Sequence, residues 1–332
     1  MSSFRRARTW FFVRRRFQFV ATVATVTVLT GTCGALLMVP NSVLPKLRAA
    51  QPTSIGSLRA AADDDPRLSA VRRSLEPFGQ LVTEQVPTGD GQQSLVVGHP
   101  AQRAEIDTLA GELATATTAV TGVWGPGWAR SAMVVVASNP SEFAALVRSA
   151  TMPADVAAAS VADPFVPGTQ PTGQRVVFSA DAGRRLDSDG LRTLLRHELT
   201  HIATRAQTVD GAPQWMLEGF AEFVAHLGAG HHFADIAPTV TTRVRAGDVP
   251  RDLPADADFA GTGAVAAYEQ AWSVCAFVAE KFDQPRLVEL YRRIAAGKQD
   301  PASEDRIMRD VLGTSRSDLV TDWRNWLSAP TA

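Results

Sequence analysis

The chain has 332 residues, 45% hydrophobic and 20% charged, a balance that suits one large domain or two ordinary ones and excludes a mostly disordered polymer. Its formal net charge is −1, yet residues 1–16 hold six arginines (Arg5, Arg6, Arg8, Arg14, Arg15, Arg16) and no acid, so the remainder carries −7 and is a poor candidate for nucleic-acid binding. Two cysteines, Cys33 and Cys275, exclude both a disulfide-rich scaffold and a cysteine-built zinc site.

From Phe17 to Val39 runs a 23-residue stretch without a charge. About 20 helical residues cross the roughly 30 Å hydrocarbon core of a bilayer, and in lipid a helix satisfies every backbone group internally. The run therefore predicts a single transmembrane helix over 17–39. The basic tail, residues 1–16, stays cytoplasmic, which puts everything after Pro40 outside the cell membrane. A cleaved signal peptide followed by secretion is the rival reading. The run exceeds a usual signal core, and no small-x-small cleavage site follows it directly, so a retained anchor is expected. Cys33 then lies in the membrane and Cys275 stands alone outside, without an intrachain disulfide.

Residues 40–65 read as a linker, with Pro40, Pro45 and Pro52 among small polar residues and the run Asp63, Asp64, Asp65, Pro66 at its end. From there to about residue 330 the pattern is globular, with a sheet part over 66–187 and a helical part over 188–330. Residues 101–123 predict a helix, 133–137 a short apolar strand, and 139–150 a helix capped by Asn139 or Ser141. Val156–Ala162 and Arg175–Ala180 predict two more strands, joined by a Pro/Gly-rich connection. Helices follow at about 189–206, 213–227, 264–282, 285–296 and 303–327. A small sheet followed by a helical lobe is an α+β order.

The chemistry concentrates between Leu195 and Phe223. His197, Glu198 and His201 form an H-E-x-x-H sequence on a helix with an apolar stripe of Leu191, Leu194, Leu195, Leu199 and Ile202, capped by Ser188 or Asp189. Residues four apart differ by only about 40° around a helix axis, so the two imidazoles project from one face as two bonds to a single metal require. Glu198 is placed to reach a water on that metal without being a ligand. A catalytic zinc site needs a third protein ligand and leaves a fourth position open. Pro213 can start a second helix that Gly228 ends. Glu218 and Glu222 share one face of it, while Trp215, Phe220, Phe223, Val224 and Leu227 supply apolar contacts. Glu218 is the natural third ligand, and Glu222 can accept a hydrogen bond from a ligand histidine. His231 and His232 read as loop residues, His99 and His226 as structural ones, and Cys275 as a buried small residue.

With these residues in place, the segment resembles the gluzincin metallopeptidases, the thermolysin-like clan that includes the M1-type aminopeptidases. It is most similar to the compact peptidase MA-like domains of bacterial envelope proteins. Those carry H-E-L-T-H on one helix and W-L-x-E-G-x-A-E on the next. Here the two sequences are His197-Glu198-Leu199-Thr200-His201 and Trp215-Met216-Leu217-Glu218-Gly219-Phe220-Ala221-Glu222. The resemblance runs from about residue 95 to 328. It implies a zincin-like domain with one zinc ion per chain on His197, His201 and Glu218, with Glu198 as general base and Glu222 as partner of a ligand histidine. It further implies a late tyrosine or histidine that steadies an oxyanion. Tyr268 stands at that place, and packing at a helix start is the other reading of it.

The expectation is thus a membrane-anchored, outward-facing zinc metallopeptidase acting on a peptide or protein substrate. The strand Val156–Ala162 would offer a sheet edge for an extended substrate. An inert or metal-binding envelope protein of the same fold, serving as a partner-binding module, is the alternative. Hydrolysis of a non-peptide amide in the cell wall would use the same residues.

Overall fold

The computed structural model describes residues 65–149, 156–166 and 168–329. The expected membrane span, 17–39, lies outside them, and among the described helices none is long and apolar enough to cross a membrane. Helix α1 (Pro66–Leu75) starts where Asp65 accepts from Arg67 N and Pro66 takes the first turn. An antiparallel hairpin follows, β1 (Val82–Gly89) and β2 (Gln92–Gly98). Its turn is Asp90–Gly91, both at positive φ (49° and 75°), as an Asp-Gly hairpin turn requires.

Helix α2 (Arg103–Trp124) leads to β3 (Met133–Val136), then α3 (Pro140–Val147), β4 (Ala158–Val161) and β5 (Arg175–Phe178). The five strands lie in the order β1-β2-β3-β5-β4. β2, β3 and β5 run parallel, whereas β1 and β4 are antiparallel edges. The inner strands β3 and β5 are buried throughout, as the apolar runs Met-Val-Val-Val and Val-Val-Phe lead one to expect. Arg175 is the exception in kind. Its guanidinium is spent on the carbonyl oxygens of Leu146 and Gly173, so it caps the end of α3 from inside the sheet.

The helical lobe begins with α4 (Ser188–Thr204), which packs along α2 and over β4 and β5. α5 (Gln214–His226) lies against α4 on one side and against α7 (Ala264–Phe282) on the other, with α6 (Pro238–Arg245) between α5 and α7 in the chain. α8 (Gln284–Ile294), α9 (Pro301–Leu312) and α10 (Arg316–Leu327) close the lobe. α9 and α10 replace the single helix expected over 303–327. Gly313 ends α9 in the left-handed conformation (φ 71°), and Ser315 opens α10 by accepting from Asp318 N. The expected helix at 139–150 likewise stops at Val147, where Arg148 turns left-handed. The other predicted elements recur with their ends moved by a residue or two. α1, α6 and the β1–β2 hairpin had no counterpart in the sequence reading.

One close approach sets the height of α5 over α7. A Cβ added to Gly219 would lie 2.4 Å from the backbone oxygen of Ala271, closer than side-chain carbons come. Alanine is about 1 kcal/mol better than glycine inside a helix, but here the backbone of α7 would have to yield. Gly219→Ala is expected to lower stability by roughly 1–3 kcal/mol, read as a fall in the midpoint of denaturant unfolding. A midpoint equal to the parent's or higher would show that the two helices are free to part.

Candidate metal centre

α4 begins where Asp187, rather than Ser188 or Asp189, accepts from Gly190 N. Its buried face carries Leu191, Leu195, Leu199 and Ile202, which fixes its rotation against the sheet. Arg196 anchors it to α2 through Glu112, at 2.6 Å. α5 is fixed at its start by Gln214 N donating to Asp256 Oδ1 at 2.8 Å and by Trp215 Nε1 donating to Glu304 Oε1 at 3.0 Å. Pro213 precedes the helix and the last helical residue is His226, so Leu227 falls outside it and is 41% exposed instead of packed.

These two helices bring His197, His201 and Glu218 together. His197 Nε2 and His201 Nε2 are 3.0 Å apart, and Glu218 Oε2 lies 3.4 Å from the first and 3.6 Å from the second. Ligand atoms held about 2.0–2.1 Å from a tetrahedral ion are about 3.3–3.4 Å from one another. The triangle of two imidazole nitrogens and one carboxylate oxygen has that size. Glu218 is wholly buried, and neither of its oxygens has a hydrogen-bond donor. A buried carboxylate without a donor calls for a cation, and the residues fit one. Among the described residues this is the one group of three or more such side chains with metal-ligand geometry.

Glu222, one turn beyond Glu218, stands behind this triangle. Its Oε1 is 3.2 Å from His197 Nδ1, so its charge stands beside the nitrogen that faces away from the cluster while Nε2 is aimed inward. Its Oε2 is 3.4 Å from His226 Nε2. That second contact was legible in the sequence, since Glu222 and His226 are four apart on one helix. His226 therefore belongs to the charged cluster rather than to the apolar packing. His99 is structural as expected: Nε2 meets Glu142 Oε1 at 2.8 Å and Nδ1 meets Gln80 O at 3.0 Å.

Burial works against every charge in the cleft, and the neighbours decide the outcome. Desolvation would raise the carboxyl pKa of Glu218, but His201 and His197 outweigh it and bring it down to about 2. Glu222 is brought to about 2 in the same way by His197 and His226. Burial would lower His197, yet the two carboxylates beside it hold its pKa well above the imidazole range. The cluster thus has a built-in demand for positive charge. Glu198 has no such excess of help. Burial raises its pKa, opposed by His197, His201 and the Ser160 side chain of β4, and its Oε1 has no donor.

Tyr268, near the start of α7, is buried with its hydroxyl unpartnered. Burial, and then the charges of Glu218, Glu222 and Glu198, push its phenol well above 10. It therefore keeps its proton and can donate it to a hydrogen bond. Cys275 on the same helix is free and buried, and burial pushes its thiol up as well.

No protein-family model and no curated protein matches the chain. Among solved structures it is similar to an M1 zinc metallopeptidase from Deinococcus radiodurans, with 15% identity and a TM-score of 0.46, over 76% of this chain and 53% of that one. A point mutant of that organism's enzyme bound to a Tyr-ser-ala substrate gives 15% identity and a TM-score of 0.45 over the same shares. A two-domain M1 mutant bound to L-arginine gives 14% identity and 0.42, over 76% and 52%. The chain thus spans about half the length of the solved structures it matches.

Glu222→Gln keeps the shape of the support behind His197 and removes its charge. The affinity for Zn2+, measured by competition with a chromophoric chelator, is expected to fall about 10–100-fold. An unchanged affinity would mean that Glu222 does not orient the imidazole.

Proposed function

We propose that this chain is a zinc metallopeptidase of gluzincin type. The observation that carries the reading is the buried triangle of His197, His201 and Glu218, with the carboxylate of Glu198 beside it and no donor on its Oε1. His197, His201 and Glu218 would hold one zinc ion, which when bound supplies Lewis acidity toward a water and a carbonyl oxygen. Glu198 takes the proton of the attacking water and passes it to the leaving amine. Burial suits it to both halves of that task, because a raised pKa makes it a better acceptor than an exposed glutamate. Tyr268, neutral and without a partner, donates to the oxygen that gains charge as the carbonyl is attacked. Glu198, Glu218 and Tyr268 are each no more than 2% exposed, so the charges they meet act in a surround of low dielectric.

The peptide reading of the substrate rests on β4. It is the edge of the sheet on the side of α4, and Ser160 in it is a neighbour of Glu198. An extended peptide that adds to this edge would pass its carbonyl groups beside Glu198. The motif resemblance to gluzincins supports the same choice. The single-pass anchor at 17–39 and the extracytoplasmic position of the domain belong to this proposal on the strength of the uncharged run and the arginines before it.

Two experiments test it. Metal analysis of the purified protein is expected to find zinc that is lost in His201→Ala. Glu198→Ala should retain the zinc and lose cleavage of a peptide library by at least about 100-fold. A folded protein that takes up no zinc at this cluster overturns the proposal, whereas zinc without hydrolysis describes a partner-binding module of the same architecture. Tyr268→Phe separates the two readings of the tyrosine. A donor to the oxyanion predicts a loss of about 10–1,000-fold in kcat with KM little changed. A packing role leaves kcat within a few-fold.

A further inference from the structure

Outside the triangle, a second pair of imidazoles faces each other. α5 ends at His226, and the chain then doubles back through Gly228 and Gly230, both left-handed (φ 72° and 71°), a conformation that favours glycine. The return sets His231 against the end of the helix it has just left. His226 Nδ1 and His231 Nδ1 are 3.4 Å apart, with the rings edge to face at 63° and their centroids at 5.6 Å. That separation is long for an N–H···N hydrogen bond, which prefers about 2.7–3.2 Å. It equals the spacing of two nitrogens on one tetrahedral ion, about 3.3–3.4 Å.

The surroundings of His226 point the same way. Its Nε2 lies 3.4 Å from Glu222 Oε2, within ion-pair distance of a carboxylate. Nδ1 is the nitrogen turned toward His231. A carboxylate behind a histidine, with the far nitrogen offered to a partner, is the arrangement that Glu222 also makes with His197. One carboxylate thus backs two imidazoles, Oε1 behind His197 and Oε2 behind His226. The negative charge that favours an ion in the triangle also favours one at the outer pair. His231 is exposed, so an ion reaches the pair from solution.

We infer that His226 and His231 form a second metal-binding site, separate from the triangle and joined to it through Glu222. Two imidazoles suit a divalent ion of borderline softness, Zn2+, Ni2+ or Cu2+, in preference to Mg2+ or Ca2+, with the remaining positions taken by water.

The test is an ion count on the full-length protein, equilibrated with a graded series of ZnCl2 or NiCl2, beside His231→Ala and His231→Gln. His231 is exposed in a turn, so neither variant removes a packed side chain. The expected result is one ion fewer per chain in both variants, or a weakening of that ion by at least about tenfold, with no change in the tighter one. This difference is read whatever the triangle holds, so it stands or falls apart from the peptidase proposal. Glu222→Gln should weaken both ions. Equal counts and equal affinities in the parent and the His231 variants would overturn the inference, because the two rings would then share only a long polar contact.

Discussion

Three carboxylates share a cleft that water scarcely reaches, and the helical lobe is organised around the charge they carry. Glu198, Glu218 and Glu222 are each no more than 5% exposed. An ion taken out of water costs several kcal/mol unless partners replace the lost hydration. For Glu218 and Glu222 the main partners are imidazoles of the facing helix, and that arrangement works only if α4 and α5 cross at a fixed height and rotation. The bare backbone of Gly219 against Ala271 supplies the height on the far side of α5. The apolar face of α4 and the Arg196–Glu112 pair supply the rotation.

The surrounding elements then read as a frame that holds two helices still. Glu304 is a clear case. It accepts from Trp215 on α5 and from Arg316 on α10, so one buried carboxylate ties the glutamate-bearing helix to the last helix in the described chain. Thr204, at the end of α4, meets the hydroxyl of Tyr291 on α8, whose ring packs against Phe220 and Trp124. Side chains locked by such contacts keep their neighbours in one rotamer, which is what a site that binds a small ion needs. The cluster itself gives up stability for this, with donorless oxygens on Glu198 and Glu218. The shortfall is concentrated where positive charge is expected.

The chemical residues were legible because their spacing is a property of helices. Positions 197 and 201, and 218 and 222, share a face by geometry alone, and apolar stripes on both segments made the helices themselves evident. Of the inner strands, β3 and β5 were legible for a similar reason, as short apolar runs rich in valine. The hairpin at 82–98 was missed although Gly89-Asp90-Gly91 marks its turn, because β1 alternates polar and apolar residues only loosely and contains Pro87. The break at Gly313 was overridden by helical periodicity on both of its sides. Leu227 seemed a packing residue because it continues the stripe of α5, but the helix stops one residue earlier. What no local pattern could give is the return of His231 onto His226, which depends on two glycines turning the chain through space.

The short edge strand β4 has a consequence for the behaviour of the protein in a crowded solution. A sheet edge with unpaired backbone groups accepts any extended chain, including another copy's, and long exposed edges seed aggregation. β4 limits this by its length. Four residues span roughly 13 Å and offer only about two outward pairs of backbone groups. Two of its four side chains are alanine and a third is serine, too small to interlock with a second sheet, and Pro164 stops the edge from extending soon after it. Ala158, Ala159 and Val161 are each no more than 4% exposed, so little of this strand is presented to another copy, and the protein stays safe from its own edge.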